Sequence, residues 1–108
     1  MIKVINHRRY NTEKSEQVVF VDNNLHRHDF RYRSWSLHRT TKGAWFLYHY
    51  GGALTDMSIP CGSNGRGAGE EIEPIGEEEA LGFLEIYSEQ PDARAALEKY
   101  FAGAIDDA

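Results

Sequence analysis

The stretch FRYRSWSLHRTTKGAWFLYHYGG, residues 30 to 52, constrains the fold more than any other part of the chain. Two aromatic-rich runs flank Thr41-Lys42-Gly43, the chemistry of a three-residue hairpin loop with its glycine in the left-handed region. That loop predicts a register in which Arg39 faces Trp45, Leu37 faces Leu47 and Trp35 faces His49. Because strand side chains alternate, one face then carries Trp35, Leu37, Trp45 and Leu47, the better core candidate. The other carries Tyr32, Ser34, Ser36, His38, Phe46, Tyr48 and Tyr50, rings with polar tips that suit either a binding surface or a cover of helices. A slip of one residue would exchange the two faces.

The flanking segments extend this hairpin into a sheet with helices. Residues 2–10 (IKVINHRRY) read as a short strand ending at the turn chemistry of Asn11 and Thr12. Residues 12–21 open like a helix but run into Val18–Val21 and then Asp22-Asn23-Asn24, which favours a strand. An irregular, glycine-rich segment follows Gly51-Gly52 to about residue 70. Glu71–Ile75 suits an edge strand, where Pro74 is tolerated. Residues 77–89 have helical spacing in Ala80, Leu81, Leu84 and Tyr87, with three glutamates in the first turn, where the helix dipole favours them. A second helix starts at Pro91, buries Ala93, Leu97, Tyr100 and Phe101, and stops near Gly103. The expectation is an α+β fold: a small antiparallel sheet of three or four strands, centred on a hairpin at about 28–50, packed against two C-terminal helices. One domain spans 1–108, with a β-rich basic part (1–54), a glycine-rich connector (55–71) and an acidic helical part (72–104).

Charge divides the chain more sharply than its total of -5 suggests. Residues 1–60 hold nine Lys/Arg against five Asp/Glu, and residues 61–108 hold three against twelve, so +4 is followed by -9. Such halves either attract each other within the fold or present two faces to different partners. The 41% hydrophobic content is that of a globular chain. MIKVINHRRY has no apolar core of a secretory signal and no long apolar run follows, so a cytoplasmic location without membrane contact is expected. The one cysteine, Cys61, has no partner for an internal disulfide.

The chemical motifs are weak. His26-Arg27-His28-Asp29 offers two imidazoles and a carboxylate, short of a complete metal site, and Cys61 has no second thiol nearby in sequence, so no metal is expected. Cys61 with His38 or His49 and Asp56 has the residue types of a nucleophilic site but no spacing that unites them, so no catalysis and no cofactor are expected. CGSNGRGAGEE (61–71) lacks the Lys-Ser/Thr of a phosphate loop and places Glu70 and Glu71 where an anion would sit. It reads as a connector with Arg66 free for a contact. Two binding readings are stronger. Arg27, Arg31, Arg33, Arg39 and Lys42, interleaved with Phe30, Tyr32 and Trp35, have the composition of a single-strand nucleic-acid surface. Glu70, Glu71, Glu73, Glu77, Glu78 and Glu79, with Tyr48, Tyr50 and Arg66, have that of a surface for a basic protein partner.

Several stretches carry a resemblance: YNTE (Tyr10–Glu13), DFRY (Asp29–Tyr32), LHRTTKGAWFL (Leu37–Leu47), GGAL (Gly51–Leu54) and IEPIGEEEA (Ile72–Ala80). Through them the chain resembles a family of small proteins of bacterial prophages and other mobile elements, a family without an established activity. Where its members often carry an acid before the paired glycines, this chain has His49 and Tyr50. The resemblance implies a mobile-element setting, in which small proteins commonly bind and block host machinery. The expected function is therefore a non-enzymatic interaction protein that masks a host protein, such as an inhibitor of a CRISPR-type defence. The alternative is a nucleic-acid-binding accessory protein using the basic hairpin.

Overall fold

The computed structural model describes all 108 residues, and the predicted hairpin forms its centre. Strands β4 (Arg33–Arg39) and β5 (Trp45–Gly51) pair antiparallel with Arg39 opposite Trp45, Leu37 opposite Leu47 and Trp35 opposite His49. The loop is closed by a backbone bond from Thr40 N–H to Ala44 O (2.8 Å), and Gly43 takes φ +86°, as the reading of Thr41-Lys42-Gly43 requires.

Two further strands make a four-stranded antiparallel sheet. β3 (Glu16–Asp22) lies beyond β4, and an eighth strand in chain order, Gly69–Ile75, lies beyond β5. The ambiguous segment 12–21 is thus mainly strand. A bulge between Gln17 and Val19 lets the consecutive Val18 and Val19 both be buried, which explains why VVFV has no clean alternation.

Two hairpins lie outside this sheet and differ from the sequence reading. Residues 2–10 are two strands, β1 (Ile2–Ile5) and β2 (Arg8–Asn11), reversing at Asn6 (φ 50°) and His7 (φ 66°). Two consecutive positive φ values define the tight turn that matches strand twist. Within the glycine-rich connector, β6 (Ile59–Cys61) pairs with β7 (Gly65–Gly67). Its last residues, 69–71, belong to the main sheet as the start of β8 (Gly69–Ile75).

Helices α1 (Glu77–Ile86) and α2 (Pro91–Phe101) cover the face predicted as core. Leu37, Trp45, Val19 and Val21 meet Ala80, Leu84, Ala93, Ala96 and Leu97 there, with Phe101 stacked on Trp45 at 5.6 Å between centroids. The opposite face is partly covered by the N-terminal hairpin, whose Tyr10 packs edge-on against Phe46 at 5.6 Å and joins Ile72. The molecule is therefore a sheet between a helical layer and a hairpin, extended to 54 × 34 × 19 Å.

At the end of the sheet beyond the helices, Gly51 lies opposite Gly69. A Cβ at Gly51 would come within 2.2 Å of Thr55 Oγ1, and one at Gly69 within 1.9 Å of Met57 O. The absent side chains let the 52–58 loop lie directly on the sheet, which brings Asp56 to β4.

Candidate functional site

The acidic residues converge on one margin of the molecule. β8 is the last strand of the sheet, so its outer side has no neighbouring strand. It carries Glu70, Glu71 and Glu73 and runs through Gly76 into α1, whose first turn is Glu77, Glu78 and Glu79. All six carboxylates are exposed. The local chemistry explains this continuity: Pro74 has no N–H to donate to a neighbouring strand, and Gly76 takes the extended N-cap conformation. There the Glu79 carboxylate accepts the Gly76 N–H (3.2 Å) and closes the start of the helix.

Only two of the four ion pairs, His49–Glu73 and Lys99–Glu16, join the two charged halves of the chain. The ion pairs are Arg31–Asp29, Arg33–Asp56, His49–Glu73 and Lys99–Glu16. No lysine or arginine lies within ion-pair distance of Glu70, Glu71, Glu73, Glu77, Glu78 or Glu79. Glu70 accepts the Tyr48 hydroxyl, Glu73 is held by His49 and Glu79 caps the helix. Glu71, Glu77 and Glu78 have no side-chain partner in the molecule. The result is a negative margin along β8 and the start of α1.

A polar chain braces this margin from inside the sheet. The side chain of Arg33, only 9% exposed, donates from Nε to Asp56 Oδ1 (2.8 Å) and from Nη1 to Ser34 O (2.8 Å). Its Nη2 donates to His49 Nδ1 (2.9 Å), which leaves the ring hydrogen on Nε2 for Glu73 Oε1 (2.8 Å). The Arg33 hydrogen bond holds the Asp56 carboxyl below its ordinary range. His49 and Asp56 thus serve to orient β8, a role that sequence spacing did not reveal.

On the opposite face, Tyr48 and Tyr50 are half-buried in a groove of about 280 Å³ floored by Ser34, Ser36 and His38. Burial, followed by the bond to Glu70, pushes the Tyr48 hydroxyl well above its ordinary pKa. Tyr50 lies under the Arg27 guanidinium (4.9 Å) and beside Tyr32 (6.1 Å). His38 is bonded at both nitrogens, to Ser15 Oγ (2.9 Å) and Ser36 Oγ (3.0 Å). Ser15 gives its own hydrogen to Thr12 O (3.2 Å), so Nδ1–H donates to Ser15 and Nε2 accepts from Ser36. Burial, with the nearby N-terminal charge, lowers the His38 pKa to about 4.

The basic residues of the hairpin are not gathered into one surface. Arg33 is enclosed as described, and Arg39 lies on the helical side over Tyr100 (4.6 Å) and Trp45 (5.5 Å). Arg27 is on the groove side, Arg31 pairs with Asp29, and Lys42 is exposed at the β4–β5 turn. Arg66 is bound to Ser58 through Nε and Nη2, both at 2.8 Å, inside its own small hairpin. His26 and His28 stand 5.3 Å apart between ring centroids, and His26 Nδ1 accepts the His28 N–H. No group of three or more His, Cys, Asp or Glu side chains is arranged as a metal site. Cys61 is exposed on β6. No helix is long and apolar enough to cross a membrane.

Comparison with protein-family models, curated proteins and solved structures gave no match.

Proposed function

We propose that this chain is a non-enzymatic interaction protein that docks a basic protein surface along the margin formed by β8 and the first turn of α1. The observation that carries this reading is the absence of any lysine or arginine ion pair to six clustered, exposed glutamates, in a chain whose other half is cationic. Carboxylates left without a lysine or arginine pair steer a positively charged partner and fix its register. The open side of β8 adds unpaired main-chain groups that a partner segment can meet. In the mobile-element setting implied by the sequence resemblance, the partner is a host protein with a basic groove, such as a defence nuclease. Occupying that groove would mask it without chemistry on either side.

The test is capture of a partner from host lysate followed by hydrogen exchange on the purified complex. Amides of residues 69–79 should gain protection, while those of β3 and α2 should not. Failure to recover a stoichiometric partner, or protection confined to other surfaces, contradicts the reading.

A further inference from the structure

A second charged feature lies at the turn end of the central hairpin. The β1–β2 turn and the β4–β5 loop together enclose a cleft of about 340 Å³, lined by His7, Arg8, Arg9, Thr40, Thr41 and Lys42 alongside Tyr10 and Ala44. Packing explains how two turns distant in sequence meet. Tyr10 of β2 is seated on Phe46 of β5, and two residues along the chain from that contact Arg8 and Ala44 reach the cleft. Strand alternation puts Arg8 on the same side as Tyr10, toward the sheet.

The lining is selective in its chemistry. No carboxylate lines the cleft, and none of Arg8, Arg9 and Lys42 takes part in an ion pair. Thr40 Oγ1 already accepts the Ala44 N–H (3.0 Å), so its hydroxyl hydrogen is available to an acceptor. The Arg8 guanidinium, the Lys42 ammonium and threonine hydroxyls form a set of donors suited to a tetrahedral oxyanion. The one large ring in the lining, Tyr10, is buried against Phe46, so there is no broad platform for stacking a base. The volume is at the lower end of the usual range for small-ligand sites, roughly 300 to 1,000 Å³.

From these features we infer that the cleft is a binding site for a phosphate group, supplied either as free phosphate or as the backbone of a nucleic acid, without base recognition. It is separate from the acidic margin and does not depend on the function proposed for that margin.

The test is a titration of ¹⁵N-labelled protein, followed by amide shifts, with sodium phosphate, with sodium chloride at matched ionic strength, and with a dT15 oligonucleotide. Saturable shifts centred on residues 7–9 and 40–42 are expected with phosphate, with dT15 or with both, and not with chloride. Saturation by phosphate, with dT15 no tighter, identifies free phosphate as the source. At least tenfold tighter binding of dT15, weakening steeply with salt, identifies a nucleic-acid backbone. The pair R8Q and K42Q, at exposed positions, should weaken either interaction at least tenfold while leaving the rest of the spectrum unchanged. Non-saturating shifts with both phosphate probes, equal shifts with chloride, or unchanged affinity in the double variant would overturn the assignment.

Discussion

Among single residues, His38 ties the fold most directly to solution conditions. It is 3% exposed, stacked on Phe46 at 4.9 Å and satisfied by two serines while uncharged. Its pKa falls from 6.5 to about 4 on folding. The unfolded chain therefore takes up a proton near pH 6.5 that the folded chain accepts only near pH 4. The stabilisation is complete above the unfolded value and is lost as pH falls toward the folded one. Linkage puts the loss between pH 7 and pH 5 at about 2 kcal/mol. Urea denaturation at both pH values checks this: wild type should lose that stability, and H38Q should lose markedly less. Equal losses would show that His38 is not the group responsible. His7 gives a second prediction. Its φ of 66° is costly for a residue with a Cβ, so H7G should stabilise the protein by about 0.5 to 1 kcal/mol in the same assay. No gain, or a loss, would mean that the turn does not hold that conformation in solution.

Among elements, legibility in the sequence followed the chemistry of the turns. The β4–β5 register was readable because Thr41-Lys42-Gly43 and the alternating rings on both sides specify the same pairing. The β1–β2 hairpin was not, because Asn6-His7 reverses the chain without the glycine that usually marks such a turn. In the connector, glycines signalled irregularity, yet Gly69 serves strand pairing and a close approach of the 52–58 loop. G69A places a methyl group against Met57 O, so it should cost at least about 1 to 3 kcal/mol and loosen the loop that carries Asp56. A thermal midpoint equal to that of wild type would contradict the close packing.

For the whole molecule, the sequence revealed the charge asymmetry but not its outcome. Composition alone left open whether the basic and acidic halves pair with each other or face outward. Tertiary placement decides the matter: Arg33 finds Asp56 across 23 residues of its own half, while Arg39 lies over rings of the helical side. The six glutamates were visible as a cluster in sequence, but their position on the outermost strand was not. Arg8 and Arg9 stood outside the basic run of the central hairpin, and only the turn between Asn6 and His7 brings them to Lys42. The chain thus has a negative margin without a lysine or arginine ion pair and a separate positive cleft without a carboxylate in its lining.

The central claim is that the negative margin is a docking surface. Its most direct test is the affinity of the captured partner for wild type and for the triple variant E71Q/E77Q/E78Q, measured by calorimetry across a salt series. These three glutamates have no side-chain partner to lose, and E77Q and E78Q give up only a helix-dipole contribution of about 0.3 to 1 kcal/mol each, so the fold should be retained. The account predicts at least tenfold weaker binding by the variant at low salt, with the two affinities converging as salt screens the margin. Equal affinities at every salt concentration would contradict it.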